Sequence, residues 1–188
     1  MMKRTTMIIM ISLFFIAVAG MVNAAEKAPQ KVIDLANSTL AKLGTDPVIV
    51  AAVKAENSKG KTLAQIKEMD EKWKTHPGIA DYMQAMMDSE CGKRLQAVQN
   101  SAPYYSEIFV MDNQGANVAM TDKTSDYWQG DEAKFQKSFN GGSGSVFVDD
   151  VEFDDSSQAY LVQVSVPVKD GGKAIGAITF GINVDKIE

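Results

Sequence analysis

The chain has 188 residues, of which 45 % are hydrophobic and 23 % charged, and its formal net charge at pH 7 is −5. This negative balance argues against nucleic acid and against anionic lipid headgroups as partners. Because Cys91 is the single cysteine, an internal disulfide is excluded, and the fold must depend on its hydrophobic core.

The first 24 residues have the order of a secretory signal peptide. Lys3 and Arg4 precede a mostly apolar run over residues 7–21, and residues 22–24 are small enough for recognition by a signal peptidase. The run is shorter than the ~20 apolar residues of a membrane-spanning helix. We therefore predict cleavage after Ala24 and a periplasmic location, with an uncleaved membrane anchor as the alternative. Cleavage leaves 17 basic and 24 acidic residues, a net charge of −7.

Residues 25–103 form an N-terminal helical region. Hydrophobic residues at helical spacing predict helices over residues 31–43, 48–57, 63–74 and 79 to about 100. Asp46 and Thr62 are placed to cap the second and third of these helices. We expect the fourth helix to be interrupted or bent near Gly92.

Residues 104–188 form a sheet region, in which the hydrophobic period changes from helical to alternating. We predict five strands, a hairpin turn at residues 112–115 and a short helix over residues 130–139. Short strands joined by hairpin turns imply an antiparallel sheet. Together with the preceding helices they make one α+β domain. The predicted strands cover residues 105–111, 117–121, 145–153, 159–168 and 173–184.

Several stretches resemble Cache domains, the extracellular PAS-like sensor modules of bacterial chemoreceptors and histidine kinases. They are residues 46–57, the strand-turn-strand over 108–121 with the following residues 125–132, and the closing strands over 161–167 and 174–181. The resemblance covers most of the chain after residue 24. It implies long N-terminal helices packed on a PAS-like sheet of five antiparallel strands, and binding of a small solute beneath the loop between the second and third strands.

Two departures from the Cache pattern affect the expected function. Receptor Cache domains continue from the last strand into a transmembrane helix, whereas this sequence ends at Glu188. We therefore expect a free-standing exported sensor that signals through a separate membrane receptor, kinase or cyclase. Cache domains that recognise amino acids resemble one another in an arginine two positions before the pocket tryptophan. Asp126 stands there in this sequence, so the resemblance favours a cationic or neutral solute.

The segment over residues 124–135 supplies the main candidate ligand-binding residues, Asp126, Tyr127, Trp128 and Asp131. A carboxylate flanked by two rings can present a charge within a partly apolar wall, and the rings attract an amine by ~1 kcal/mol through cation–π contacts. The alternative is that the rings only cover the core and that Asp131 or Ser125 caps the next helix. Tyr105 and Asp149 are further ligand-binding candidates.

The remaining motifs favour neither a cofactor nor catalysis. The acidic run over residues 149–155 lacks the spacing of an EF-hand, and the glycine-rich loop over 141–145 lacks the lysine of a phosphate-binding loop. With one histidine, His76, and no nucleophile motif, the chain offers little acid–base machinery near neutral pH, so an enzyme is not expected. The alternative function is a structural or assembly protein that keeps the fold without a ligand.

Overall fold

The computed structural model describes residues 26–155 and 157–187, so the predicted signal peptide over residues 1–24 lies outside the described residues. The described residues form six α-helices and one five-stranded antiparallel sheet, which confirms the predicted α+β class. None of the described helices has the length and apolar character needed to cross a membrane.

Five of the six helices lie before the sheet. Asp46 caps the second helix by accepting hydrogen bonds from the backbone nitrogens of Val48 and Ile49, and Thr62 caps the third in a capping box with Gln65, as predicted. The helices are α1 over residues 30–43 (Gln30–Leu35, a π-helical segment Ala36–Leu40, then Ala41–Leu43), α2 (Pro47–Ser58), α3 (Leu63–Thr75), α4 (Asp81–Asp88), α5 (Glu90–Gln99) and α6 (Ala133–Phe139).

The predicted fourth helix over residues 79–100 is interrupted close to the expected position. It is two helices, because Ser89 adopts an extended ψ of 162° and its hydroxyl oxygen accepts a hydrogen bond from the Gly92 nitrogen at 2.9 Å. Ser89 therefore ends α4 and caps α5. The last helix begins at Ala133, and its N-terminus has no side-chain cap, so neither Asp131 nor Ser125 caps it as the alternative interpretation required.

The strands pair in the spatial order β2-β1-β5-β4-β3, and all pairs are antiparallel. Gly115 has a φ of 84° in the turn between the first two strands, as its position in the predicted hairpin requires. The strands are β1 (Tyr105–Met111), β2 (Asn117–Met120), β3 (Phe147–Asp154), β4 (Ala159–Asp170) and β5 (Lys173–Asn183).

The sheet has two different faces, since neighbouring residues of a strand point to opposite sides. The helical face carries Val164 and Phe180, and it packs against α1, α2 and α5 in the larger hydrophobic core. The roof face carries Phe109 together with polar residues such as Thr179, and it lies in a second hydrophobic cluster with α3, α4 and α6. A loop over residues 121–132, here called the roof loop, joins β2 to α6.

Candidate functional site

Helix α3 holds the roof loop through one buried carboxylate. Asp70 is 4 % exposed, and its Oδ1 accepts hydrogen bonds from the backbone nitrogens of Tyr127 at 2.9 Å and Trp128 at 3.0 Å. Lys74 Nζ lies 2.6 Å from Asp70 Oδ2 and 3.1 Å from Asp126 Oδ1. Charge-assisted hydrogen bonds of this kind are stronger than neutral ones, so the middle of the roof loop is fixed to α3.

Tyr127 is an anchor of the roof loop. Its side chain is 3 % exposed, and its ring centroid lies 5.6 Å from that of Trp73. The Tyr127 hydroxyl accepts a hydrogen bond from Lys61 Nζ at 2.6 Å. Burial raises the pKa of Tyr127, although Lys61 opposes the shift. All parts of this side chain therefore contact protein groups.

Trp128 is half-buried at the outer side of the roof loop. Its indole Nε1 donates a hydrogen bond to the Gln114 carbonyl oxygen at 2.8 Å, and Lys67 Nζ lies 4.7 Å from the ring centroid. The ring thus already has a cation over one face. Trp128 packs between the hairpin turn and α3.

An outer cleft of about 430 Å³ lies between α3 and the roof loop. It brings together three of the predicted site residues, Asp126, Trp128 and Asp131. Asp126 already pairs with Lys74, while Asp131 is exposed. The full lining is Lys67, Asp70, Glu71, Lys74, Asp126, Trp128, Asp131 and Glu132.

The two other predicted site residues lie elsewhere. Asp149 lines a narrow acidic cavity of about 110 Å³ beside β3 and β4. Tyr105 lies at the junction of α5 and the sheet, with its ring 4.6 Å from that of Tyr104, and burial raises its pKa. The structure therefore does not gather the six predicted residues into one site.

A second concavity, the inner cavity, lies between the roof face of the sheet and the roof loop, where the Cache resemblance places the ligand. Its volume is about 400 Å³, within the usual range for small-molecule sites. It contains none of the six predicted residues. Its lining is Glu107, Phe109, Lys123, Thr124, Ser125, Gln129, Lys134, Asp154 and Gln163.

The strand register builds the floor of the inner cavity. Glu107 on β1 and Gln163 on β4 are both in register with Gly181 on β5, which lies between them. A Cβ atom at position 181 would lie 2.8 Å from Glu107 Cγ, so the glycine allows the Glu107 side chain to lie over β5. On the same face of the sheet, Phe109 on β1 is in register with Thr179 on β5.

The two lysines and the Gln129 side-chain nitrogen of the inner cavity already have hydrogen-bond or ion-pair partners. Lys123 Nζ donates to the carbonyl oxygens of His76 and Gly78 at 2.8 and 2.9 Å. Lys134, whose side chain is 11 % exposed, forms an ion pair with Glu132 at 2.8 Å. The side-chain nitrogen of Gln129 donates to the Asp126 carbonyl oxygen at 2.9 Å.

The Gln129 side-chain oxygen, the Glu107 carboxylate and the Gln163 amide of the same cavity have no such partner among the described residues. Gln129 is 1 % exposed, and its Oε1 makes no hydrogen bond to the described residues. Within the described ranges the Glu107 carboxylate makes no hydrogen bond or ion pair. Burial raises the pKa of Glu107, Lys134 opposes this shift, and the charges of Asp154, Asp122 and Glu132 add to it.

A further cavity of the described residues has a different character. It is an open, mainly apolar groove of about 660 Å³ between α2 and the helices α4 and α5. Cys91 lies in its wall, and burial raises the pKa of this thiol to about 12. A thiol that stays protonated is a poor nucleophile, and Cys91, at 2 % exposure, packs in the larger hydrophobic core.

Sequence reasoning missed Asp70, Glu107, Gln129 and Gln163 as important residues. A signal was present for three of them: Asp70 falls on the apolar side of the predicted third helix, and Glu107 and Gln163 interrupt apolar strands. No group of three or more His, Cys, Asp and Glu side chains within residues 26–155 and 157–187 is arranged to hold a metal ion.

No family model matches the sequence, and no curated protein matches it. Similar solved structures include the ligand-binding domain of the Campylobacter jejuni chemoreceptor Tlp3 in complex with 4-methylisoleucine, at 14 % identity and a TM-score of 0.43 over 84 % of this chain and 60 % of that one. They also include the Vibrio cholerae histidine kinase DctB sensor domain, at 13 % identity and a TM-score of 0.39 over 84 % and 55 %.

A third similar structure is the ligand-binding domain of the Pseudomonas aeruginosa amino acid chemoreceptor PctC in complex with GABA, at 9 % identity and a TM-score of 0.38 over 79 % and 62 %. The chain therefore spans less than two thirds of each of these domains. All three are sensor or ligand-binding domains of chemoreceptors and histidine kinases, the class of protein that the sequence resembles.

Proposed function

We propose that this chain is an exported sensor module that binds a small solute in the inner cavity and acts in signal transduction through a separate membrane partner. The observation that carries the proposal is Gln129, which lines the cavity and whose buried side-chain oxygen has no partner among the described residues. Leaving a buried polar group unpaired costs about 1–3 kcal/mol. A solute that donates a hydrogen bond to Gln129 removes this cost.

The anchoring of the roof loop supports a signalling mechanism. Gln129 contacts the inner cavity, while Tyr127 and Trp128, two residues and one residue before it, are fixed to Asp70 of α3. A solute in the cavity would stabilise one packing of the roof loop on the sheet, and that packing includes α3. Ligand binding shifts the population toward the packing that it fits best, and a partner protein reads the changed surface.

The proposal includes a cleaved signal peptide and a periplasmic location. The order of basic, apolar and small residues over positions 1–24 supports export. Sequencing the N-terminus of the exported protein tests this part, and we expect it to begin at Ala25. An N-terminus at Met1 in a membrane fraction would favour the membrane-anchored alternative.

Thermal unfolding in the presence of a library of small metabolites tests solute binding. A ligand at a hundred times its dissociation constant stabilises a protein by about 2.7 kcal/mol, or roughly 5–10 °C for a domain of this size. We expect one chemical class to raise the melting temperature by this amount. No shift from any compound favours the ligand-free structural or assembly protein.

A matched pair of variants distinguishes the two cavities. Gln163→Trp fills the inner cavity, and Glu71→Trp fills the outer cleft from an exposed position on α3. We expect the solute-induced shift to be lost in Gln163→Trp and kept in Glu71→Trp. The reverse result would move the site to the outer cleft and to the predicted residues Asp126, Trp128 and Asp131.

A further inference from the structure

We propose that the inner cavity selects a primary amine, bound as an ammonium ion between Glu107 and Gln129. This inference rests on the proposed function, because it names the chemical class of the solute for the same cavity. It follows from which polar groups of the cavity already have partners. The ammonium groups of Lys123 and Lys134 have them, whereas the Glu107 carboxylate and the Gln129 side-chain oxygen do not have them among the described residues.

The two lysines of the cavity are poorly placed to bind an anion. The Lys123 ammonium already donates to two backbone carbonyl oxygens, and the Lys134 ammonium is paired with Glu132. A carboxylate or phosphate ligand would compete with these partners for the two ammonium charges and would also approach the Glu107 carboxylate. The ligand that the cavity binds is therefore decided less by the formal charges of the lining residues than by which of these residues already have partners.

The free acceptors favour a ligand with several donors. The Gln129 side-chain oxygen can accept a hydrogen bond only, and the Glu107 carboxylate is also an acceptor when ionised. An ammonium group has three N–H donors and a positive charge, so it can satisfy both oxygens. It also places a positive charge beside the half-buried Glu107 carboxylate, which a neutral hydroxyl does not.

The floor of the cavity gives the ammonium group access to Glu107. Because residue 181 is glycine, no side chain separates Glu107 from Gln163 across β5. The Gln163 side chain makes no hydrogen bond within the described ranges, so its amide is available to a polar group at the other end of the solute. The arrangement suits a short chain with an ammonium group at one end and a second polar group beyond it.

Four compounds with a four-carbon chain test the inference, since they differ mainly in their end groups: putrescine, 4-aminobutyrate, 1,4-butanediol and succinate. Isothermal titration calorimetry with the exported chain at neutral pH and low salt measures their affinities. We expect putrescine to bind most tightly, 4-aminobutyrate next, and the diol and the dicarboxylate at least tenfold more weakly than putrescine.

Variants then link the amine to its two acceptors. We expect Glu107→Gln and Gln129→Met each to weaken putrescine binding about tenfold or more, and Glu152→Gln, an exposed acid of β3 outside the inner cavity, to change it less than twofold. Melting temperatures of the unliganded variants show whether each remains folded. A purely structural role of Glu107 predicts a lower melting temperature and no loss of affinity per folded molecule.

The outcomes separate this inference from the proposed function. Tighter binding of succinate or butanediol than of putrescine overturns the amine selectivity. Silence from all four compounds also overturns it, while a melting-temperature shift by another solute that is lost in Gln163→Trp leaves the proposed function standing. Silence from the four compounds and from the whole metabolite library overturns both.

Discussion

The two faces of the sheet differ in the side chains that they carry. On the helical face, alternate residues of β4 and β5 are fully buried aliphatic or aromatic side chains, for example Val164, Val166 and Phe180. The roof face carries Glu107 of β1, Gln163 of β4 and the hydrogen-bonded pair Ser165 and Thr179, whose oxygens are 2.8 Å apart. The helical face thus supplies packing, whereas the roof face keeps polar groups around an open space.

The largest expected effect comes from a substitution that disrupts the packing of the helical face. Phe180→Ala removes a fully buried ring and should lower the free energy of unfolding by about 3–5 kcal/mol, because it leaves a cavity in the core. Urea denaturation measures this loss. Solute affinity per folded molecule should be unchanged, since Phe180 points away from the inner cavity. A loss below about 1 kcal/mol would contradict the assignment of this face as the main core.

The second prediction concerns the attachment of the roof loop. Asp70→Ala leaves the backbone nitrogens of Tyr127 and Trp128 without their acceptor, and should cost about 1–3 kcal/mol in unfolding free energy. Hydrogen exchange at these two amides should become faster. Glu71→Ala, at the exposed neighbouring position of α3, is the control and should change stability by less than about 0.5 kcal/mol. Equal effects of the two variants would show that Asp70 is not an anchor.

The third prediction concerns how the stability of the protein depends on pH through Glu107, on the roof face. The pKa of Glu107 is raised above its ordinary value of 4.5 in the folded protein, chiefly by burial. The folded state therefore binds this proton more tightly than the unfolded state, so the Glu107 contribution to stability declines as pH rises from about 4.5 through the folded pKa. Glu107→Gln lacks this decline.

Urea denaturation at pH 4 and pH 7 measures the difference between Glu107→Gln and the original chain. We expect the variant to be the more stable protein at pH 7 and the two stabilities to converge at pH 4. Glu152→Gln, at an exposed position of β3, is the matched control. A variant that is less stable than the original chain at pH 7 would show that Glu107 has a stabilising partner in solution.

The smallest expected effect is that of Tyr127→Phe, which tests whether Tyr127 anchors the roof loop or contacts the ligand. Tyr127→Phe removes the hydroxyl that accepts a hydrogen bond from Lys61, but Lys61 keeps its ion pair with Glu56 at 2.6 Å. We expect a loss of about 0.5–1 kcal/mol in unfolding free energy and unchanged solute affinity. Lost affinity at nearly unchanged stability would show that Tyr127 contacts the solute as the sequence predicted.

Local rules predicted most of the fold. Asp46, Thr62 and Gly115 act through contacts with residues close in sequence, so their roles as caps and turn residue could be read from the chain. Ser89 was missed because a serine within an apolar helical pattern gives only a weak signal for a helix end. Its cap on Gly92 explains why the break lies three residues before the glycine.

The site was harder to predict, because it depends on register and on distant partners. The aromatic and acidic residues 126–128 attract attention in sequence, yet Tyr127 is engaged by Lys61 and Asp70, more than fifty residues earlier in the chain. Glu107 and Gln163 face each other only through the pairing of β1 and β4 with β5. Neither relation can be deduced from spacing within one segment.

A high-resolution crystal structure of the chain purified from its own cells tests the central claim most directly. We predict density for a small solute in the inner cavity, with a donor atom about 2.7–3.2 Å from both the Gln129 side-chain oxygen and the Glu107 carboxylate. A cavity closed by side chains with Gln129 paired to a protein group, or a solute bound beside Trp128 and Asp131 in the outer cleft, would contradict it.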